Sequence, residues 1–202
     1  MKMIRQTIQF SLLILCSAAM SPIQAQSVAP EAPQGTLDFA HIRRDLAVFQ
    51  GVLDTTLKTS LPGPFQILGS SKGTYLPDYG VVFSLEANVY QIRRLSPFDM
   101  KPHTQKELND AYDQMMTRIE LVKELIIRAM AEHGSTLRQL GPDENLTVIA
   151  HLFTGGFNLG SDPKREFPSQ LVFCVKESVI NEYREAKSNL DQFSKNVKLL
   201  QF

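Results

Sequence analysis

Apolar residues recur at steps of three and four through residues 36–58, at Phe39, Ile42, Leu46, Phe49, Leu53 and Leu57. That spacing predicts a helix with one buried stripe, with Arg43, Arg44, Asp45 and Asp54 mostly off it. Leu61-Pro62-Gly63-Pro64 stops the helix. The period then changes. Residues 65–68 and 74–76 are short apolar runs, with one turn at 69–73 and another at Pro77-Asp78-Tyr79-Gly80. Residues 81–90 alternate strictly: Val81, Phe83, Leu85, Ala87 and Val89 share one face, and Ser84, Glu86 and Asn88 the other. This is the pattern of an antiparallel strand with one packed and one wetter face.

Residues 104–133 carry the strongest helical signal. Thr104 with Glu107 forms a capping-box pattern, Leu108, Tyr112, Met115, Ile119, Val122, Ile126 and Ala129 hold the three-four spacing, and Gly134 is the stop. Residues 145–153 and 170–176 are apolar on both faces and suit central strands. Between them, 154–169 is a long Gly/Pro loop carrying Lys164, Arg165 and Glu166. Helical spacing returns from 177 to about 194 through Ile180, Tyr183, Ala186, Leu190 and Phe193, and 197–202 reads as a last short strand. The order α-β-β-β-α-β-β-α-β predicts a single α+β domain over 36–202. We expect a mostly antiparallel sheet of about five or six strands, with three helices packed on one face, one of them long (about 104–133).

The first 25 residues follow a different pattern. Lys2 and Arg5 precede a mostly apolar run from Ile8 to Met20, and Ile23-Gln24-Ala25 ends on a small residue. This reads as a secretory signal cut after Ala25, since the apolar run falls short of the about 20 residues a membrane span needs. Retention as an anchor and lipidation at Cys16 are the alternatives; Leu15 before that cysteine disfavours lipidation. Residues 26–35 (QSVAPEAPQG) form a flexible lead. Cleavage changes the composition. The 202-residue chain balances 21 basic against 21 acidic residues. Without its leader it has 177 residues, loses two basic groups and becomes slightly acidic. A chain of that size buries roughly 70% of its unfolded surface and can stand on its core alone. It also keeps one cysteine, Cys174, of the original two, so no internal disulfide is expected. The near-neutral charge lacks the basic face of a nucleic-acid binder.

Candidate chemistry is sparse. Gly69-Ser70-Ser71-Lys72-Gly73 fits G-x-S-x-G, with Asp143 and His151 following in triad order. The nucleophile elbow needs a helix directly after the serine, however, and residues 74–79 read as strand and turn. The histidines, His41, His103, His133 and His151, show no metal-ligand spacing, and no metal or cofactor is expected. Cys174 sits in Leu171-Val172-Phe173-Cys174-Val175 and is expected in the core. Tyr75, Asp78 and Tyr79, around the second turn, are the first choice for a binding surface, because a tyrosine joins apolar area to a hydroxyl. Arg93-Arg94 and Lys164-Arg165 read as solvated pairs.

The expectation is therefore an exported, periplasmic or secreted, non-catalytic binding module for an envelope protein or small ligand, with no membrane span once the signal is removed. A serine hydrolase using Ser71, Asp143 and His151 is the rival reading, and an oligomeric structural component built through the long helix is the third. Amino-terminal sequencing of the exported protein should begin at Gln26; a mature chain that retains Met1 would overturn the cleaved leader.

Overall fold

Residues 38–61, 66–90, 104–155 and 166–202 are described by the computed structural model, for 66 and 67 in the backbone alone, and all fall in the unit Leu37–Phe202. The predicted signal, the lead, His103, Arg93, Arg94, Lys164 and Arg165 lie outside the described residues. Helix α1 (Phe39–Ser60) starts where Asp38 caps it, its Oδ1 accepting from the N–H groups of Ala40 (2.9 Å) and His41 (3.2 Å). Its buried stripe is Ile42, Phe49, Leu53 and Leu57, as the spacing predicts, but Asp45 is buried with them.

Strands β1 (Gln66–Ile67) and β2 (Lys72–Leu76) run consecutively along one edge of β3 (Gly80–Asn88), both antiparallel to it. They therefore occupy one strand position, interrupted at 68–71. The turn into β3 places Asp78 in the left-handed region (φ 64°), and Tyr79 N–H donates to Leu76 O at 3.2 Å. At Gly80 (φ 117°) a Cβ would lie 2.2 Å from Asn145 O, so only glycine lets the neighbouring strand approach here.

Helix α2 (Gln105–His133) has the expected capping box: Glu107 N–H donates to Thr104 Oγ1 (3.3 Å) and Thr104 N–H to Glu107 Oε2 (2.8 Å). Gly134 does not end it by turning left-handed. Its φ is −57°, and the chain continues into a 3-10 turn, Gly134–Thr136. The glycine serves close packing instead, since a Cβ would meet Ile180 at 3.0 Å and Leu146 at 3.2 Å.

The about 44 Å of α2 returns the chain to β4 (Asn145–Phe153), which pairs with β3 in parallel from Gly80↔Asn145 to Asn88↔Phe153. The sheet is therefore mixed, with one parallel pair among antiparallel ones. Strand β5 (Gln170–Lys176) is antiparallel to β4, and β6 (Lys198–Gln201) antiparallel to β5. Between those strands the single helix predicted for 177–194 is two, α3 (Glu177–Arg184) and α4 (Leu190–Asn196). Ala186 adopts φ 55°, with Lys187 N–H on Glu182 O and Ala186 N–H on Tyr183 O. This is a Schellman stop with alanine in the place usually taken by glycine. Asn189 then caps α4 in a box with Gln192.

The architecture is α+β: among the described residues, four helices and a mixed sheet of five strand positions, with the helices packed against the sheet. Val81, Phe83, Leu85 and Ala87 of β3, Leu146, Val148 and Ala150 of β4, and Leu171, Phe173 and Val175 of β5 form the inner face. They share one core with Phe49 and Leu53 of α1, Ile119, Val122 and Ile126 of α2, Ile180 of α3 and Phe193 of α4. The Phe49 and Phe83 rings meet at 4.8 Å and 50°. Truncating such a ring leaves a cavity the packed layers do not refill. Phe83→Ala is expected to lower stability by about 3–5 kcal/mol, read from the urea midpoint; a loss under about 1 kcal/mol would mean the two layers are not locked through this pair.

Candidate functional site

The same pleat sends every second residue to the opposite side of the sheet. Register aligns these outer residues in rows across the strands. One row runs Lys72, Ser84, Ile149, Val172, Leu200; the row below it runs Thr74, Val82, Thr147, Cys174, Lys198. Above them lie Glu86, His151 and Gln170, followed by Phe202, whose N–H donates to Gln170 O at 3.0 Å. Val82, Ile149 and Val172 are half-buried, Leu200 is exposed, and Phe153 and Phe202 at the upper end are 53% and 64% exposed. Apolar side chains thus stand on rigid strands without a layer of described residues over them.

Tyr79 covers the lower end of this face. Its hydroxyl lies 2.8 Å from Thr147 Oγ1 and 4.0 Å from Cys174 Sγ, and its carbonyl accepts from Asn145 N–H (2.7 Å) and Nδ2 (3.2 Å). Thr147 is consequently buried, although it points away from the core. Cys174 is a free thiol on the outer face, half-buried and 3.6 Å from Asn145 Oδ1. It is not in the core as its apolar neighbours suggest, because Leu171, Phe173 and Val175 take the inward positions and the pleat turns Cys174 outward.

Tyr75 lies on the other side of the sheet. It pairs with Val81 in register, donates its hydroxyl proton to Glu144 Oε1 at 2.7 Å, and lines a cavity of about 10 Å³ with Ile42, Asp45, Leu46 and Leu140. That volume holds at most about one water. Asp78 is exposed at the turn between the two tyrosines. Tyr75, Asp78 and Tyr79 therefore do not converge on one patch.

Nor are the residues of the hydrolase reading brought together. Ser71 is fully buried beside α1, where its N–H donates to Asp54 Oδ1 (2.9 Å), its Oγ to Gln50 O (3.3 Å), and Gln50 Nε2 donates back to Ser71 O. The pattern thus marks the tie that fastens the broken edge strand to the helix layer. Asp143 is exposed and pairs with Lys176 at 3.0 Å, while His151 is exposed on the outer face of β4, across the sheet from Ser71. His41 Nδ1 lies 2.5 Å from Asp38 Oδ2 at the start of α1. His133 ends a shallow open groove of about 450 Å³ along the outer side of α1, with Val48, Gly51, Val52, Thr55 and Thr56. Among the described residues no three His, Cys, Asp or Glu side chains are grouped to hold a metal ion, and no helix is long and apolar enough to cross a membrane.

Asp45 is the residue the helical pattern misplaces. It is buried and accepts from Arg138 N–H (3.2 Å) and Nη2 (3.1 Å), which holds the chain after the 3-10 turn against α1.

Burial, with the Glu144 carboxylate accepting its proton, pushes the Tyr75 phenol up to about 12. The unfolded phenol titrates near about 10, so the folded chain holds this proton more tightly. The stability it confers is full below pH about 10 and is lost as pH rises through about 12. Tyr75→Phe should flatten that decline in an alkaline denaturation series; an unchanged profile would contradict it. No family model matches the chain, and no curated protein or solved structure was found to resemble it.

Proposed function

We propose that the chain is an exported, non-catalytic binding module that holds its partner on the outer face of the sheet. The observation that carries this reading is the strip formed by Ile149, Phe153, Val172, Leu200 and Phe202, apolar and incompletely covered. The apolar part runs without a break from Ile149 through Val172 and Leu200 to Phe202, with Phe153 beyond His151, and such surface fixed on rigid strands favours association with a partner. The strip spans three adjacent strands, two spacings of about 4.8 Å, so its width is close to the about 10 Å diameter of one helix.

The sheet edges favour contact through the face rather than by adding a strand. β6 has four residues and carries Lys198, and the β1/β2 edge is interrupted at 68–71. Short, charged and broken edges discourage strand addition. Five strand positions by about seven residues give a face on the order of 500 Å². That is below the about 800 Å² per partner of a standard stable interface, which suits a transient contact.

A binding role also accords with Ser71, whose hydroxyl is committed to a backbone carbonyl inside the molecule. The export part of the proposal rests on Lys2, Arg5, the apolar run to Met20 and the small residue Ala25.

Photo-crosslinking in the producing cells tests the contact, with the crosslinker at position 172 compared against position 48 on the outer side of α1. A discrete adduct from 172 alone, lost in Leu200→Glu at unchanged thermal stability, is expected. Equal products from both positions, or none from 172, would sink the proposal.

A further inference from the structure

Two exposed charges of opposite sign flank the outer strip. Glu86 of β3 stands at one corner, in the row of His151, Gln170 and Phe202. Lys198 of β6 stands at the diagonally opposite corner, in the row of Thr147 and Cys174. Neither is in an ion pair with a described residue. They are three strands and two rows apart, about 14 Å across the sheet and about 13 Å along it. The midpoint of that diagonal falls between Ile149 and Val172, which face each other in register within the strip.

A face with its charges placed in this way fits a copy of itself. Two identical faces meet around a two-fold axis lying in the plane between them, and each residue then meets whatever lies equally far on the other side of that axis. The axis that sets Glu86 over the second copy's Lys198 crosses the strip at about 45° to the strands. It runs from Val82, between Ile149 and Val172, to Phe202, so half-buried aliphatic residues and a phenyl ring that is 64% exposed lie along the seam. The strands of the two sheets cross near about 90°, one of the two favoured ways in which sheets stack. Lys72 falls at the rim towards the second copy's Lys176, whose ammonium Asp143 already holds at 3.0 Å. A helix would match the strip in width, but the equal and opposite placement of the two charges about its centre favours the face itself as the complement.

We propose that the outer face binds a second copy of the chain, sheet to sheet, with Glu86 of each copy paired to Lys198 of the other. The proposal rests on the reading of the outer strip as a binding surface and names its occupant. Each copy contributes at most the face of roughly 500 Å², about 1,000 Å² in total, which is the low end for a specific interface. The dimer is therefore in equilibrium with the monomer and forms as concentration rises.

Sedimentation velocity of the purified chain tests this, over a concentration series reaching about millimolar, where an interface of this size associates. The sedimentation coefficient should rise with concentration towards that of a dimer. Glu86→Lys and Lys198→Glu each set like charges together twice per dimer, and each should weaken association about tenfold or more. The double variant exchanges the charges and should return to within about threefold of the wild type. Both side chains are exposed, so thermal stability should be unchanged in all three variants. The crosslinker at position 172 should give an adduct of twice the chain's mass. A chain that stays monomeric throughout, single variants that associate like the wild type, or a double variant no better than the singles would overturn the second copy. In those cases a discrete adduct of another mass from position 172 keeps the strip as a binding surface for a different partner, whereas no adduct from 172 sinks both readings.

Discussion

Two parallel neighbouring strands cannot be joined by a hairpin, and the β3–β4 pair sets the rest of the molecule. Its nine residues run in the same direction, so the chain leaving Asn88 must travel back the full length of the sheet before it enters Asn145. Helix α2 makes that return, its about 44 Å more than covering the about 30 Å of the nine-residue strands. Once α2 lies across the inner face, α1 packs beside it over β3 through the Phe49–Phe83 contact, and α3 and α4 fill the space towards β5 and β6. Every described helix is drawn to the side where α2 already lies, and among the described residues the opposite face is left without one. The outer strip is therefore a consequence of the crossover, not a separate feature.

The elements were legible where a local device announces them. The Thr104–Glu107 box gives the start of α2 to the residue, and the alternation of Val81, Phe83, Leu85 and Ala87 gives both the strand and its inner face. The break between α3 and α4 was not legible, because the residue that takes the left-handed conformation is Ala186, which carries no stop signal of its own. Gly134 misled in the opposite way: it reads as a helix stop but is a packing glycine under Ile180. The direction of β4 was hidden as well. Periodicity reports which residues share a face, and strand direction depends on where a connection returns, which spacing along the chain does not encode.

Less of the site was legible, for the same physical reason. Tyr75 and Tyr79 are close in sequence, but the β2–β3 turn separates their side chains, sending one to Glu144 in the helix layer and the other over Thr147 on the outer face. Ser71 fits a catalytic pattern only because Gly69 and Gly73 flank a tight step in the edge strand, where its backbone N–H and hydroxyl are needed to bind α1. Asp45 and Arg118 sit on helix faces where charge is not expected, and that departure was the one signal available. In Asp45 the departure resolves into an ion pair with Arg138. In Arg118 of α2, also buried, Nη1 meets no partner within the described residues.

The strands themselves are written unevenly, and that unevenness locates the outer strip. On β3 the outward residues after Val82 are Ser84, Glu86 and Asn88, and on β2 they are Lys72 and Thr74, all suited to water, with the exposed Leu76 at the end of β2 the exception. On β4 and β5 the outward positions include Ile149, Val172 and Cys174, so these strands read as apolar on both faces although the described helices cover only one. A strand apolar on both faces normally has cover on both. The lower part of this surplus is met from within the chain, since Tyr79 closes over Thr147 and Cys174. The upper part, from Ile149 and Val172 to Phe153, Leu200 and Phe202, has no described residue over it. On β4, β5 and β6 the uncovered apolar residues Ile149, Val172, Leu200 and Phe202 thus lie side by side, where a single added element of helix width would complete their burial.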